Sequence, residues 1–215
     1  MYWYRKGFIF NAIKEYAKAK EPLTKSLSLK SDYLNTFLEL GFASSRLKQD
    51  EDAINYYKKA MEIDPKSHVP YNGIAEVYRD NKKDCNEAIA WYRKALSVKP
   101  KERKADFGIG YCLNSAGKYT EAIPYLMEAV EQEPTYTAAF VELGYSYYKT
   151  GNDAEAEENF TEAISLNPKN ENARYYACLM YLKQKNKVLA QKMVNELKSL
   201  SSKYTDELQK KVDNM

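Results

Sequence analysis

A unit of about 34 residues recurs along this chain, and that recurrence constrains the fold more than any other feature. Four prolines mark it, at spacings of 35, 34 and 34 residues: Pro65, Pro100, Pro134 and Pro168. Two alanines precede each proline at matching offsets: 53 and 60, 88 and 95, 122 and 129, 156 and 163. A large apolar residue lies between each alanine pair: Tyr57, Tyr92, Leu126 and Phe160. Units of this length cannot bury a core alone, so the period predicts an array whose neighbours cover one another.

Residues 137–168 show what one unit contains, namely two short helices joined by a tight turn. Three apolar residues fall at i, i+3 and i+7 and share one helix face: Phe140, Leu143 and Tyr147. Gly151 follows, where a helix end favours a residue that tolerates positive φ, and Asp153 is predicted to cap the second helix. Because Gly144 has no side chain, we predict that the two helices approach each other closely at this position.

This pattern resembles the tetratricopeptide repeat, in which W-x2-L-G-x2-Y…A-x3-F…P recurs at the same period. The Leu-Gly pair of that motif has counterparts in four first helices: Leu40-Gly41, Ile74-Ala75, Ile109-Gly110 and Leu143-Gly144. The resemblance implies an all-α, right-handed α-solenoid of helix-turn-helix repeats with a C-terminal capping helix.

We predict a single tetratricopeptide repeat domain over residues 1–215. Its repeats are expected at 1–33 (degenerate), 34–67, 68–102, 103–136, 137–170 and 171–200 (divergent), with the capping helix at 201–215. Pro22 predicts a late start for the second helix of the first repeat, and Ser31 or Asp32 is predicted to cap the helix that follows. Because the first helix has no cap, we expect that the chain is part of a longer protein or that Met1 is an introduced start.

Composition argues against several classes of protein. The sequence has no run of roughly 18 apolar residues, so we expect no membrane insertion and a cytoplasmic location. The single histidine, His68, and three scattered cysteines form no zinc pattern, so no metal and no cofactor are expected. Cys112 and Cys178 are predicted to be buried, whereas Cys85 is expected in a turn that carries one extra residue. A phosphate-binding loop, HExxH and GxSxG are all missing, so we do not expect an enzyme.

A second apolar stripe runs beside the first on several first helices. In residues 137–150 it comprises Val141, Tyr145 and Tyr148, turned by about 100° from the first stripe. In proteins similar to this family the first helices line a concave groove, so we predict that this stripe contacts a peptide. The alternative is that the rings pack between neighbouring first helices. The predicted groove residues are Tyr4, Phe8, Leu38, Phe42, Arg46, Arg79, Phe107, Tyr111, Tyr145, Tyr148, Tyr175 and Lys183.

The charges refine this prediction. Arg46, Arg79 and Lys183 are expected to bind acidic side chains of the peptide. The net charge of +3 is divided as +5 in residues 1–49, +5 in 169–215 and −7 between them. Several acids of the middle lie on one second helix, which predicts a solvated outer face: Glu155, Glu157, Glu158 and Glu162. Nucleic acid is not an expected partner, because glutamates near the groove would repel phosphate: Glu39, Glu76 and Glu142.

The function predicted from these features is that of a scaffold or adaptor. Its concave, aromatic-lined groove would bind a peptide segment of a partner protein. The alternative is self-assembly, in which the main partner is another copy of the same chain.

Overall fold

The computed structural model describes residues 2–29 and 34–215, which form 13 α-helices, one π-helical segment and no β-strand. The α-helices are α1 (Tyr2–Ala12), α2 (Tyr16–Leu29), α3 (Leu34–Arg46), α4 (Asp50–Ile63), α5 (Val69–Glu76), α6 (Cys85–Val98), α7 (Arg103–Ser115), α8 (Tyr119–Gln132), α9 (Thr137–Thr150), α10 (Asp153–Leu166), α11 (Glu171–Lys183), α12 (Lys187–Ser199) and α13 (Thr205–Asp213). The π-helical segment, Val77–Lys82, directly continues α5.

The chain divides into two compact units. Unit 1 is Met1–Cys112 and unit 2 is Leu113–Met215, so the division falls within α7. In unit 1, consecutive helices pack as pairs, α1 on α2, α3 on α4 and α5 on α6, and the first helix α3 also contacts α1 and α5. In unit 2, α9 pairs with α10 and α11 with α12, and α11 also contacts α9 and α13. The predicted all-α architecture of helix hairpins packed in series is confirmed.

Every hairpin turn contains one residue with a left-handed backbone at the same position of the repeat. These residues are Lys14, Lys48, Lys83, Gly117, Gly151 and Lys185, with φ between 57° and 87°. They are spaced by 34 or 35 residues, as the proline period requires. Only two are glycine, although a side chain in this conformation costs roughly 1–2 kcal/mol. The turn geometry is therefore set by the packing of the two helices and not by glycine alone.

Close approach of the paired helices depends on small residues facing large ones. A Cβ added at Gly144 of α9 would lie 2.8 Å from the ring of Phe160 on α10. A Cβ at Gly41 of α3 would lie 2.8 Å from the ring of Tyr57 on α4. Phe160 and Tyr57 are 1% and 5% exposed, so these rings fill the space that the glycines leave.

The extra residue of the third repeat lies in the π-helical segment and not in a loop. A π-helical turn hydrogen-bonds one residue further along than an α-helical turn, so it accommodates an insertion without breaking the helix. Lys83 then turns the chain with φ of 57°, and the side chain of Asp84 caps α6 by accepting the backbone N–H groups of Asn86 and Glu87. Cys85 is consequently the first residue of α6, and the prediction that it lies in a turn is wrong.

Several predicted helix ends differ from the observed ones. Helix α2 starts at Tyr16 and contains Pro22 seven residues in, so its predicted late start is wrong. Asn152, and not Asp153, is the cap position of α10. The predicted caps Ser31 and Asp32 lie outside the described residues.

The cores of the units consist of the repeated alanines and the large residues between them. In unit 2 the last helix, α13, adds Leu208 and Val212, both fully buried, to the cluster around Phe160 and Val194. The predicted burial of Cys112 and Cys178 is confirmed. The repeat limits given above remain predictions.

Candidate functional site

A pocket of about 370 Å³ lies between first helices of unit 1, and we refer to it as the first-helix pocket. Two stripes at i, i+3, i+4 and i+7 supply most of its lining. The α3 stripe is Asn35, Leu38, Glu39 and Phe42, and the α5 stripe is Val69, Asn72, Gly73 and Glu76. Tyr57, His68, Glu102 and Lys104 complete the lining. The stripes are offset by 34 residues, so the repeat itself places them side by side.

Both helices bring apolar and polar groups to the pocket. On α3, Leu38 is half-buried and Phe42 is 39% exposed, and Glu39 lies beside them. The residues 34 positions after Leu38 and Phe42 are Asn72 and Glu76 on α5. A ligand in this pocket would therefore contact hydrocarbon and hydrogen-bonding groups together, as is typical of sites that orient a bound segment.

Hydrogen bonds hold several polar groups of the pocket in place. The Asn72 amide donates to Oε2 of Glu102 at 2.7 Å, and the same oxygen accepts the backbone N–H of Ala105 at 2.9 Å. The Asn11 amide donates to Oε2 of Glu39 at 2.7 Å and to the Glu39 carbonyl at 3.0 Å. These side chains are held before any ligand arrives, which lowers the entropy lost on binding.

The pocket carries excess negative charge. Burial raises the pKa of Glu76, with the nearby cation of Lys104 partly opposing that shift. Burial also raises the pKa of Glu39, and it lowers the pKa of His68, which is therefore neutral at pH 7. Three carboxyl groups thus face one lysine, whose Nζ is 4.0 Å from Glu76. This field favours a cationic group over an anionic one.

Arg79 lies in the π-helical segment, and its guanidinium sits among three aromatic rings. Its Cζ atom is 5.9 Å from the ring centroid of Tyr92, 6.0 Å from that of Phe107 and 5.7 Å from that of Tyr111. Its Nε and Nη2 donate to the two carboxylate oxygens of Asp80 at 2.6 and 2.8 Å. Arg79 therefore positions the rings of α7, and its charge is already paired within the chain.

In unit 2 two of the predicted tyrosines, Tyr145 and Tyr175, belong to a row of rings in contact. Ring centroids are 5.7 Å apart for Tyr119 and Tyr145, 4.7 Å for Tyr145 and Tyr176, 5.4 Å for Tyr176 and Tyr175, and 4.5 Å for Tyr175 and Tyr204. Burial is the main cause that raises the pKa of Tyr145. These rings pack against one another and also keep part of their surface exposed, and the contact of this stripe with a peptide stays a prediction.

None of the twelve predicted groove residues is fully buried. Leu38 and Phe42 line the first-helix pocket, and Phe107 and Tyr111 surround Arg79 with Tyr92. Half-buried residues on other first helices are Tyr4, Tyr145, Tyr148 and Tyr175, and exposed ones are Phe8, Arg46 and Lys183. Val141, which the stripe also included, is 6% exposed and belongs to the core.

The cations predicted to bind acidic side chains are mostly engaged. Asp80 pairs with Arg79, and Nζ of Lys183 is 3.6 Å from Asp153. Arg46 lies over the Tyr16 ring at 5.8 Å. Glu39 and Glu76, which line the first-helix pocket, were expected near the groove as groups that repel phosphate, but not as peptide-binding residues. Following the α3 stripe 34 residues along the chain would have found Val69 and Asn72, whereas Glu102 carries no sequence signal.

These hairpins define a helical-repeat protein. Family models of the tetratricopeptide repeat match residues 34–67, 107–136 and 137–170. A model of the Est1 DNA/RNA binding domain matches residues 53–106. The chain therefore contains tetratricopeptide repeats over residues 34–67 and 107–170, and the fold of such repeats is consistent with a protein-interaction scaffold.

Curated relatives match only part of the chain. Anaphase-promoting complex subunit 6 of Arabidopsis thaliana is 32% identical over 77 residues, which are 34% of this chain and 14% of that protein. Superkiller complex protein 3 of Mus musculus is 30% identical over 74 residues, 34% of this chain and 4% of that protein. The chain thus spans 14% or less of the length of these two relatives.

Solved structures match over most of the chain. PilW, described as a type IV pilus biogenesis factor, has a TM-score of 0.82 at 19% identity, covering 97% of this chain and 96% of its own. YrrB, described as a TPR protein with an unusual peptide-binding site, has a TM-score of 0.73 at 24% identity, covering 91% and 99%. At these identities the likeness shows the fold. Of the helices that the structure describes, none is both long enough and apolar enough to cross a bilayer.

Proposed function

We propose that this protein is a non-enzymatic scaffold or adaptor that holds a peptide segment of a partner protein in the first-helix pocket. The observation that carries the proposal is the pocket itself, in which the apolar Leu38 and Phe42 lie beside polar groups that are already hydrogen-bonded, such as Glu39 and Asn72. YrrB, which shares the fold, is described as having a peptide-binding site. The proposal places the interaction in the cytoplasm and involves no cofactor.

The charge of the pocket indicates which peptides it prefers. Glu39, Glu76 and Glu102 outnumber the one lysine, so a lysine or arginine of the peptide is favoured beside an apolar residue that contacts Phe42. This differs from the acidic peptide expected from sequence, because Arg79 and Lys183 already have carboxylate partners. Acidic segments would be repelled by this pocket.

Peptides selected from a random display library test the proposal. Affinity of the selected peptides would be measured by calorimetry for the wild type and for Phe42→Ala, which removes an exposed ring without opening a core cavity. Ile63→Ala is the matched control, since Ile63 is also exposed, at 38%, but lies outside the pocket. We expect Phe42→Ala to weaken binding by about tenfold, as for a central interface ring, and the control to have no effect. Equal effects of the two variants would overturn the proposal.

The match to the Est1 DNA/RNA binding domain suggests nucleic acid as a partner. We propose that nucleic acid is not the partner, because two of the matched residues, Glu76 and Glu102, belong to a pocket with excess carboxylate, which repels phosphate. A gel-shift titration with single-stranded and double-stranded DNA and RNA at low salt tests this point. Retardation that Glu76→Gln enhances would support nucleic acid instead.

Self-association remains the second candidate, and helix α1 favours it. Tyr2 and Ile9 on this helix and Ile13 directly after it are 67%, 56% and 59% exposed, which is unusual for apolar residues so close together. Light scattering across a range of concentrations separates this candidate from peptide binding. A mass that rises with concentration, and falls back in Ile9→Asp, would favour self-association.

A further inference from the structure

A second surface, in unit 2, combines apolar residues with acidic ones and has no basic residue in its lining. It is a groove of about 560 Å³ between α8, α9 and α10, which we call the acidic groove. Ten residues line it: Met127, Val130, Glu131, Phe140, Leu143, Tyr147, Glu155, Glu158, Asn159 and Glu162. Five are apolar or aromatic, four are glutamates, and none is basic.

The floor of the acidic groove is apolar and accessible. Phe140, Leu143 and Tyr147 form one stripe of α9 at i, i+3 and i+7. Met127 of α8 is 49% exposed, and its sulfur accepts the Tyr147 hydroxyl at 3.5 Å. Methionine beside aromatic rings adapts to differently shaped partners, so this floor suits a docked apolar face.

The rim of the acidic groove is uniformly negative. Glu155, Glu158 and Glu162 fall at i, i+3 and i+7 on α10, and Glu131 faces them from α8. None of the four forms an ion pair with any residue in the described ranges. Burial, together with the charges of Glu155 and Glu158, raises the pKa of Tyr147, which shows that their field reaches the floor.

The fold does not require these glutamates. The same three positions, counted from the first alanine of each second helix, hold different residues in the other repeats. They are Asp52, Asn55 and Lys59 in α4; Glu87, Ala90 and Lys94 in α6; and Glu121, Pro124 and Glu128 in α8. Only α10 carries an acid at all three. Solubility alone would not concentrate unpaired acids beside exposed apolar surface, since such groups reduce packing and repel one another.

We propose that the acidic groove docks a basic amphipathic helix of a partner protein. The apolar face of that helix would lie on Met127, Phe140 and Tyr147, and its flanking lysines or arginines would pair with the glutamates of α10 and with Glu131. This docking site shares no residue with the first-helix pocket.

The test uses a fluorescein-labelled peptide with leucines at i, i+3, i+4 and i+7 and lysines on either side, and a second peptide with glutamates in place of the lysines. Fluorescence anisotropy of the full chain is expected to show binding of the lysine peptide that weakens with added salt, and no binding of the glutamate peptide. The variant Glu155→Lys/Glu158→Lys is expected to bind the lysine peptide about tenfold or more weakly.

The matched control is Glu62→Lys/Glu87→Lys, which makes the same charge change on exposed second-helix positions outside the groove. Unchanged binding in the control, together with weaker binding in Met127→Ser, would support the docking site. An equal loss of affinity for the lysine peptide in the control would show that the peptide responds only to the overall charge of the chain, and it would overturn the proposal. So would light scattering showing that the chain, without peptide, self-associates through Glu155 and Glu158.

Discussion

Replacing Arg79 tests whether one side chain holds the rings that the π-helical segment brings together. In Arg79→Met the alkyl stem is kept and the guanidinium is lost. Each ring contact of a partly exposed guanidinium stabilises by roughly 0.5–1 kcal/mol, and three contacts of one cation are not additive, so they contribute about 1–2 kcal/mol. The pair with Asp80, whose side chain is 48% exposed, adds about 0.5–1 kcal/mol after solvent screening. We therefore expect Arg79→Met to lower the free energy of unfolding by about 1.5–3 kcal/mol.

Urea unfolding followed by tryptophan fluorescence is the assay. Both tryptophans, Trp3 and Trp91, lie in unit 1, so the signal reports the unit that contains Arg79. Asp80→Asn is the comparison variant, and it should cost only about 0.5–1 kcal/mol because the ring contacts remain. Equal losses in the two variants would refute the ring contribution, and no loss in Arg79→Met would refute the whole argument.

The pH dependence of this pair has a defined sign. Burial raises the pKa of Asp80, but the hydrogen bonds and charge of Arg79 outweigh it, so the pKa in the folded state is lowered. A lowered folded-state pKa gives stability that is present above about pH 4 and lost as the pH falls through the folded-state value. The stability difference between wild type and Asp80→Asn should therefore shrink below about pH 4. A difference that grows on acidification would contradict this reasoning.

Three further predictions concern packing, turns and thiols. Phe160→Ala should destabilise unit 2 by about 3–5 kcal/mol in urea unfolding followed by circular dichroism, because the ring is fully packed against the glycine face of α9; a loss below about 1 kcal/mol would contradict the packing. Gly151→Ala should cost about 1 kcal/mol because φ is 87°, whereas Lys48→Gly should cost nothing, since it relieves a left-handed lysine. Burial raises the pKa of the Cys178 thiol to about 11, so iodoacetamide at pH 8 should label Cys85 well before Cys178, as mass spectrometry would show.

The helix hairpins could be predicted because packing fixes the size of side chains at regular intervals. A helix pair has several steric requirements, and they repeat with the unit. The alanines, the large residue between them and the closing proline each satisfy one of them. The same logic located Phe160 against Gly144 and the left-handed turn at Gly151.

The position of the extra residue in the third repeat could not be predicted in the same way. One added residue fits either a loop or a π-helical turn, and local sequence does not distinguish them. The π-helical turn coincides with contacts between residues distant in sequence, namely between Arg79 and the rings of Phe107 and Tyr111. These contacts depend on how α7 packs, which no single repeat encodes.

The sequence predicted which helix face carries the candidate site. It did not predict how deeply each residue is buried or that three carboxylates converge there. Helical period places Val141 and Tyr145 on one stripe, yet Val141 is core and Tyr145 is half-buried, because neighbouring helices cover the two positions unequally. The negative character of the first-helix pocket arises where Glu39, Glu76 and Glu102 converge from separate segments. Their proximity depends on the tertiary packing of these segments.

Site-specific photo-crosslinking tests the central claim most directly. A benzoylphenylalanine would replace Phe42 in the first-helix pocket, and in a second protein it would replace Ile63, which is similarly exposed outside the pocket. With a peptide selected for binding to the wild type, crosslinking is expected from position 42 and not from position 63, with loss of the crosslink when unlabelled peptide competes. Equal crosslinking from the two positions, or crosslinking from position 63 alone, would contradict a peptide held in this pocket.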